Sequence, residues 1–383
     1  MKYFSTIAQR SHQWFAVLLL LICSLNCRAQ QQEQMPSWTF GPFVRPANVN
    51  PILSPRPNSK FLDPMSKKQV AWEASDVFNP AAAIKQNKIY VLYRAEDRSG
   101  VGIGMRTSRL GMAESTDGIT MKRRPTPVLF PGNDSQKEFE WPGGCEDPRI
   151  AMTAAGTYVM MYTQWNKKVP RIGVATSKDL VHWTKHGPAF YKAYNGKFRD
   201  LATKSASIIT KMVNGKQVMA KINGKYWMYW GERFINPATS TDLINWTPMV
   251  DDTGELKQIV NTRDGYFDSD LTECGPPAII TNNGILLLYN GKNKPAAGRD
   301  ENYTANTYSA GQILFDKNDP TKVLQRLDKP FFVPTESFEK SGQYPAGTVF
   351  LEGLVFHKNK WFLYYGCADS RVAVAVFDPA KRK

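Results

Sequence analysis

The sequence is poor in the residues that build metal, redox and disulfide sites. Its 383 residues include 5 cysteines and 4 histidines. Cys23 and Cys27 fall in or beside an N-terminal leader, which leaves Cys145, Cys274 and Cys367. Three widely spaced cysteines make neither a disulfide framework nor a metal knuckle, and at most one disulfide can form. His12, His182, His186 and His357 have no ligand spacing, and no glycine-rich loop leads from a strand into a helix, so no metal and no cofactor is expected. Helical heptads and βαβ alternation are also absent. The apolar run over residues 14–22 is about half the roughly 20 residues that a membrane-spanning helix needs, which argues against a permanent span.

That run belongs to a different pattern. Lys2 and Arg10 precede it, and Cys-Ser-Leu-Asn-Cys-Arg-Ala-Gln follows, the signature of a signal peptide over residues 1–29 with Ala29 as its last residue. The expected location is therefore periplasmic or extracellular. Acylation of Cys27 into a lipid-anchored surface form is the alternative, with Asn26 a poor match to the small residue usual before it. The formal charge is +15, of which three positives lie in the leader. The remaining lysines are scattered among acids without a compact basic run, so a nucleic-acid partner is not expected. With 42% hydrophobic residues, 10 Trp, 16 Tyr and 20 Phe, the rest of the chain can bury a large core.

One phrase recurs five times: a short turn followed by an aromatic-rich strand. The copies cover residues 87–94, 155–162, 223–230, 283–290 and 359–366, with spacings of 68, 68, 60 and 75 residues between Tyr90, Tyr158, Tyr226, Leu286 and Trp361. Asn87-Lys88, Asn223-Gly224, Asn283-Gly284 and Asn359-Lys360 read as hairpin turns, and an apolar run precedes each copy. Three copies continue into an Asp-centred loop at Asp117, Asp179 and Asp242, read as a third strand turning into a fourth. Four strands repeated five times predict an all-β fold, a five-bladed β-propeller, with a β-sandwich as the competing reading. Residues 30–383 are then one propeller domain, and residues 30 to about 70, rich in Pro, Asn and Ser, form an irregular lead-in packed across it. Tyr93, Tyr229 and Tyr289 are expected in the core rather than as stacking platforms.

In a propeller the first strand of each blade lines the central channel, so the residues just before each hairpin form a site list. They are Asn79-Pro80, Glu146-Asp147-Pro148-Arg149, Lys204-Ser205, Glu273 with Gly275-Pro276-Pro277, and Glu352-Gly353. Charged groups at these positions suggest carboxylate chemistry.

Phe78-Asn79-Pro80-Ala81, Tyr93-Arg94-Ala95-Glu96-Asp97, Gly144-Cys145-Glu146-Asp147-Pro148-Arg149-Ile150, Gly275-Pro276-Pro277 and Tyr364-Tyr365-Gly366-Cys367-Ala368-Asp369 together resemble glycoside hydrolase family 130, the mannoside phosphorylases and β-1,2-mannosidases. The resemblance runs through most of the chain after the leader. It implies a five-bladed propeller acting on a mannose-containing oligosaccharide or glycan. It makes Asp147 the general acid, protonating the leaving oxygen through a sugar hydroxyl, and Arg94, Asp97, Arg149 and Asp369 the residues that hold mannose. Asn79, Lys221 and Asn290 complete the expected substrate-binding set. For Asp147 the competing reading is an ion pair with Arg149 that braces a turn; burial and Glu146 would raise its pKa and Arg149 would lower it.

Attack by phosphate needs a cationic far face, whereas an inverting hydrolase needs a carboxylate base roughly 6.5 to 9.5 Å from the acid. This chain has Tyr289-Asn290-Gly291 where the phosphorylases resemble one another in Tyr-His-Gly. It also has Glu273 before Gly-Pro-Pro, and Glu232 in Trp230-Gly231-Glu232. Both glutamates resemble the paired acids of the β-1,2-mannosidases. The expectation is an exported inverting glycosidase with Asp147, Glu232 and Glu273 as catalytic residues. A phosphorylase using Arg171, Lys204 and Lys221 as a phosphate cradle is the alternative, and a non-catalytic glycan-binding propeller a second one.

Overall fold

The aromatic strands of the repeat are the second strands of five antiparallel meanders. The computed structural model describes residues 35–382; the expected leader, its cleavage after Ala29 and the alternative acylation of Cys27 lie outside them. The first meander runs Asp76–Lys85, Lys88–Glu96, Ser108–Ser115 and Lys122–Arg123, and the second Gly144–Met152, Tyr158–Trp165, Pro170–Ser177 and Thr184–Pro188. A single parallel bridge, Ser108 to Gly144, joins these two. The fold is all-β.

Turn chemistry sets the hairpins. Gln86 and Asn87, Asn223 and Gly224, and Lys358 and Asn359 are the central residues of two-residue loops, and each has positive φ, the backbone that lets a tight hairpin follow strand twist. The three Asp-centred loops repeat bond for bond. Ser115, Ser177 and Ser240 accept from the amides of Gly118, Leu180 and Leu243, while Asp117, Asp179 and Asp242 accept from the next two amides.

The third meander departs from the expected simple hairpin. Its inner strand is split into Ala206–Ile208 and Lys221–Ile222, both paired to Lys225–Trp230. Between the halves a second hairpin, Thr210–Val213 with Lys216–Met219, turns at Asn214-Gly215 and bridges Ile279 of the fourth meander. The third meander continues through Asn236–Ser240 and Thr247–Pro248. The fourth comprises Leu271–Cys274, Ile279–Ile280, Ile285–Lys292, Tyr308–Phe315 and Val323–Arg326.

The fifth has three strands, Val349–His357, Lys360–Cys367 and Arg371–Phe377. The lead-in supplies its outer edge, through bridges from Val44 to Val376 and Leu53 to Val372. The Asn50 side chain both donates to and accepts from the Val374 peptide, standing in for a strand partner. An edge that would otherwise expose unpaired amides is thereby covered.

Apolar layers join successive sheets. Val355, Tyr364 and Val374 of the fifth meander pack with Val77, Val91 and Tyr93 of the first. Leu92 and Leu110 pack with Ile150 and Met160, Val159 and Val174 with Met228 and Trp246, and Ile209 and Tyr229 with Leu287 and Phe315. Between the fourth and fifth, Phe332 meets Tyr365 edge-on and Tyr308 meets Phe350. Tyr93, Tyr229 and Tyr289 are all core residues, fully buried. Phe40 onward forms one compact unit. Cys145, Cys274 and Cys367 are free and buried. No helix among the described residues is long and apolar enough to cross a membrane.

Candidate active site

The inner strands bend at one level, opposite the hairpin ends. Register shifts occur between Phe78 and Pro80, Glu146 and Arg149, and Leu351 and Gly353, leaving Asn79, Asp147 and Glu352 at β-bulges. Asn79 and Asp147 both have φ +47°, a conformation that short polar side chains tolerate. Each is followed by proline, which cannot donate to the ladder and so suits a bulge. Ser205 has φ +58° at the same level of the third meander, and Gly275-Pro276-Pro277 interrupts the fourth. A side chain on Gly366 would collide with Asn79 Oδ1, so the motif glycine is what lets Asn79 come close.

Arg94 organises one side of the cluster. Its Nη2 lies 2.6 Å from Glu96 Oε1 and 2.8 Å from Glu146 Oε1, its Nη1 3.2 Å from Asp147 Oδ1, and its Nε donates to Ser108 Oγ. Asn79 Nδ2 donates to the same Asp147 oxygen at 2.9 Å. Burial works to raise the Asp147 carboxyl, but Arg94, Lys204 and the Asn79 amide outweigh it and hold it below the ordinary value. Its neighbour Glu146 is pushed up to about 7 by burial and by the Asp147 charge, against Arg94. Asp369, partly exposed at φ +51°, is also pushed up to about 7, by burial and then by Asp147 and Glu96.

The other side is built on Glu273. It is buried, accepts a hydrogen bond from Ser205 Oγ, and is pushed up to about 7 by burial and by Glu232. Glu232 is half-exposed, 3.8 Å from Lys204 Nζ. Gly231 places it: the Gly231 amide donates to the Lys204 carbonyl, and its carbonyl accepts from the Cys274 amide. Burial works against the Lys204 charge, yet Glu232, Glu146, Asp147 and Glu273 together raise its pKa, so one ammonium stands within the field of four carboxylates. Tyr308 flanks this group, its hydroxyl held protonated by burial and by Glu273.

The structure thus brings together Asn79, Arg94, Asp147, Glu232, Glu273 and Asp369. Four other expected site residues are not brought into this cluster by any direct side-chain contact. Arg149 does not meet the Asp147 carboxylate; its guanidinium goes to the backbone carbonyls of Asp147, Cys274 and Gly275 and to Glu352. Asn290 has no open face, because its amide both donates to and accepts from the Leu351 peptide. Asp97 is occupied by Arg109 Nη1 at 2.8 Å and by the amides of Ser99 and Thr107. Lys221 lies beside the hairpin turn, exposed over the Tyr226 ring. Sequence reading assigned no role to Glu96, although it lies in the Tyr93–Asp97 segment, and missed Ser108 and Tyr308, which open third strands outside any motif. A cavity of about 360 Å³ opens at the hairpin end among Ala82, Ile150, Leu354 and Val355; no carboxylate lines it.

The family model described as β-1,4-mannooligosaccharide phosphorylase matches residues 45–381. A 1,2-β-oligomannan phosphorylase of Thermoanaerobacter sp. (strain X514) is 34% identical over 318 residues, covering 82% of this chain and 94% of its own. Among solved structures, a glycosyl hydrolase from Bacteroides ovatus superposes with TM-score 0.89 at 64% identity, over 91% of this chain and 97% of that one. Another, described with the statement that the family of mannoside phosphorylases contains glycoside hydrolases targeting β-1,2-mannosidic linkages in Candida mannan, has TM-score 0.90 and 63% identity over 91% and 96%. A match spanning nearly all of the described residues, on a chain whose bulges carry the same motifs into one carboxylate cluster, makes this protein a member of glycoside hydrolase family 130.

Proposed function

We propose that the five meanders are the blades of a five-bladed β-propeller, and that the protein is an exported inverting hydrolase of β-mannosidic, in particular β-1,2, linkages. Sheet-on-sheet packing that runs from each meander to the next, and from the fifth to the first, supports the propeller. The observation that carries the chemistry is Glu273: a buried carboxyl poised near 7, within the field of Glu232 and held by Ser205 rather than by Arg94. A phosphate of roughly −1.5 to −2 charge needs a cationic face. Here Lys204 is surrounded by carboxylates, Arg171 is paired with Asp200, and Lys221 is at the hairpin end, so the three do not form a cradle.

In this reading Asp369 and Arg94 hold the sugar hydroxyls. Water attacks the anomeric carbon from the Glu273 side and loses its proton to that carboxylate, while the glycosidic C–O bond breaks and the leaving oxygen takes a proton from the Asp147 side. Asp147 itself is anionic in the free site. Its neighbour Glu146, pushed up to about 7, is the member of this pair that keeps a proton below that pH. Export accords with hydrolysis, since a phosphorylase outside the cytoplasm would lose its sugar phosphate. The second reading, phosphorolysis, is favoured by the name of the Thermoanaerobacter relative. Incubating the pure protein with β-1,2-mannobiose, with and without phosphate, separates them. Free mannose at an unchanged rate is expected, and mannose 1-phosphate as the main product overturns hydrolysis.

A further inference from the structure

We infer that Glu352 is a positioning residue that, through Arg149, sets the separation between the strand carrying Asp147 and the strand carrying Glu273. The inference rests on the hydrolytic reading for what that separation accomplishes. The brace itself is a matter of geometry. Arg149 Nη1 lies 3.1 Å from Glu352 Oε1 and donates to the Asp147 carbonyl at 3.1 Å. Its Nε donates to the Gly275 carbonyl at 3.1 Å and its Nη2 to the Cys274 carbonyl at 2.8 Å. One planar guanidinium therefore grips the backbone of the acid residue and the backbone next to the base residue, and Glu352 anchors it from a third strand.

Arg149 is the one cation in direct contact with Glu352 among the described residues. Glu352 is fully buried, and neither of its carboxylate oxygens has a hydrogen-bond partner of good geometry. Burial pushes its carboxyl far up, with Arg149 only partly offsetting that. The bulge that presents it is clamped by Asn290 through both polar atoms of the Leu351 peptide. A buried ion pair is weak evidence for stability, since well-packed apolar residues of similar volume often serve as well or better. What an apolar pair cannot do is bind the carbonyls of Asp147, Cys274 and Gly275 at once. An inverting site leaves room for one water between acid and base, and a misplacement of about 1 Å can cost on the order of a hundredfold in rate.

The test compares Glu352→Gln, which still offers Arg149 an oxygen, with the double variant Arg149→Met/Glu352→Leu, which removes the brace and leaves no unpaired charge. Three readouts are taken: thermal midpoint, kcat and KM on β-1,2-mannobiose, and hydrogen exchange of residues 144–152 and 271–280. The double variant is expected to lose at least about tenfold in kcat with KM within about threefold, and to exchange faster in both segments together while the rest of the molecule keeps its protection. The Gln variant is expected to recover most of the lost turnover. Turnover within twofold of wild type in the double variant overturns the inference. So does a loss of turnover that follows a lowered midpoint with exchange rising throughout the molecule. If the wild type releases no mannose, the hydrolytic reading fails by itself, and exchange still judges the brace: loosening of only one segment, or of neither, overturns it.

Discussion

The two halves of the cluster hold buried carboxylates by opposite means. On the Arg94 side, Asp147 receives a guanidinium nitrogen and an amide nitrogen on one oxygen, and those partners overcome burial and keep it anionic. On the far side, Glu273 receives one serine hydroxyl and a neighbouring acid, and burial prevails, lifting it to about 7. Both residues sit next to strongly bent backbone in equivalent inner strands. The partner set, not depth, therefore decides which of the two carboxylates carries a proton in the free site.

Removing the far carboxyl should break the contrast most severely. Glu273→Gln is expected to lower kcat by about 10² to 10⁴ with little change in KM, because the proposed acceptor of water's proton is gone; steady-state kinetics on β-1,2-mannobiose check this. Asp147→Asn is expected to cost at least about a hundredfold while leaving the thermal midpoint near that of the wild type. A variant keeping a third of normal turnover would make Asp147 a structural acid. Ser205→Ala sharpens the comparison. The Ser205 hydrogen bond lowers the Glu273 pKa, so its loss raises that pKa, and the acid limb of the pH–rate profile, where the base must be deprotonated, moves to higher pH. A profile that moves to lower pH, or does not move, contradicts the assigned contact. The smallest effect is expected from Lys221→Ala: exposed beside its hairpin turn, it should leave kcat/KM within about twofold.

Much of this arrangement was legible in the sequence. Asn-Gly and Asn-Lys turns before aromatic strands located the hairpins, and counting back from them found Asn79, Asp147, Ser205 and Glu352 at one level. The split inner strand of the third meander was not foreseen, although Asn214-Gly215 is the same turn signal and marks the inserted hairpin. Site roles were harder to read. Arg149 and Asn290 have the side chains a sugar site uses, but backbone carbonyls and a peptide group consume their polar atoms. Asp97 follows a strand that delivers Arg94 to the cluster, yet Arg109 captures it first. Residue type announces what a group can bind, whereas bulge geometry decides what it meets.

The anomer first released from β-1,2-mannobiose in phosphate-free buffer tests the central claim most directly, since the proposed acid and base on opposite faces of the sugar would allow only inversion. Proton nuclear magnetic resonance during the first turnovers, before mutarotation, should show α-mannose in excess of the anomeric mixture that the reducing-end sugar itself contributes. An excess of the β anomer over that mixture, or no mannose until phosphate is added, would contradict the division of labour proposed for Asp147 and Glu273.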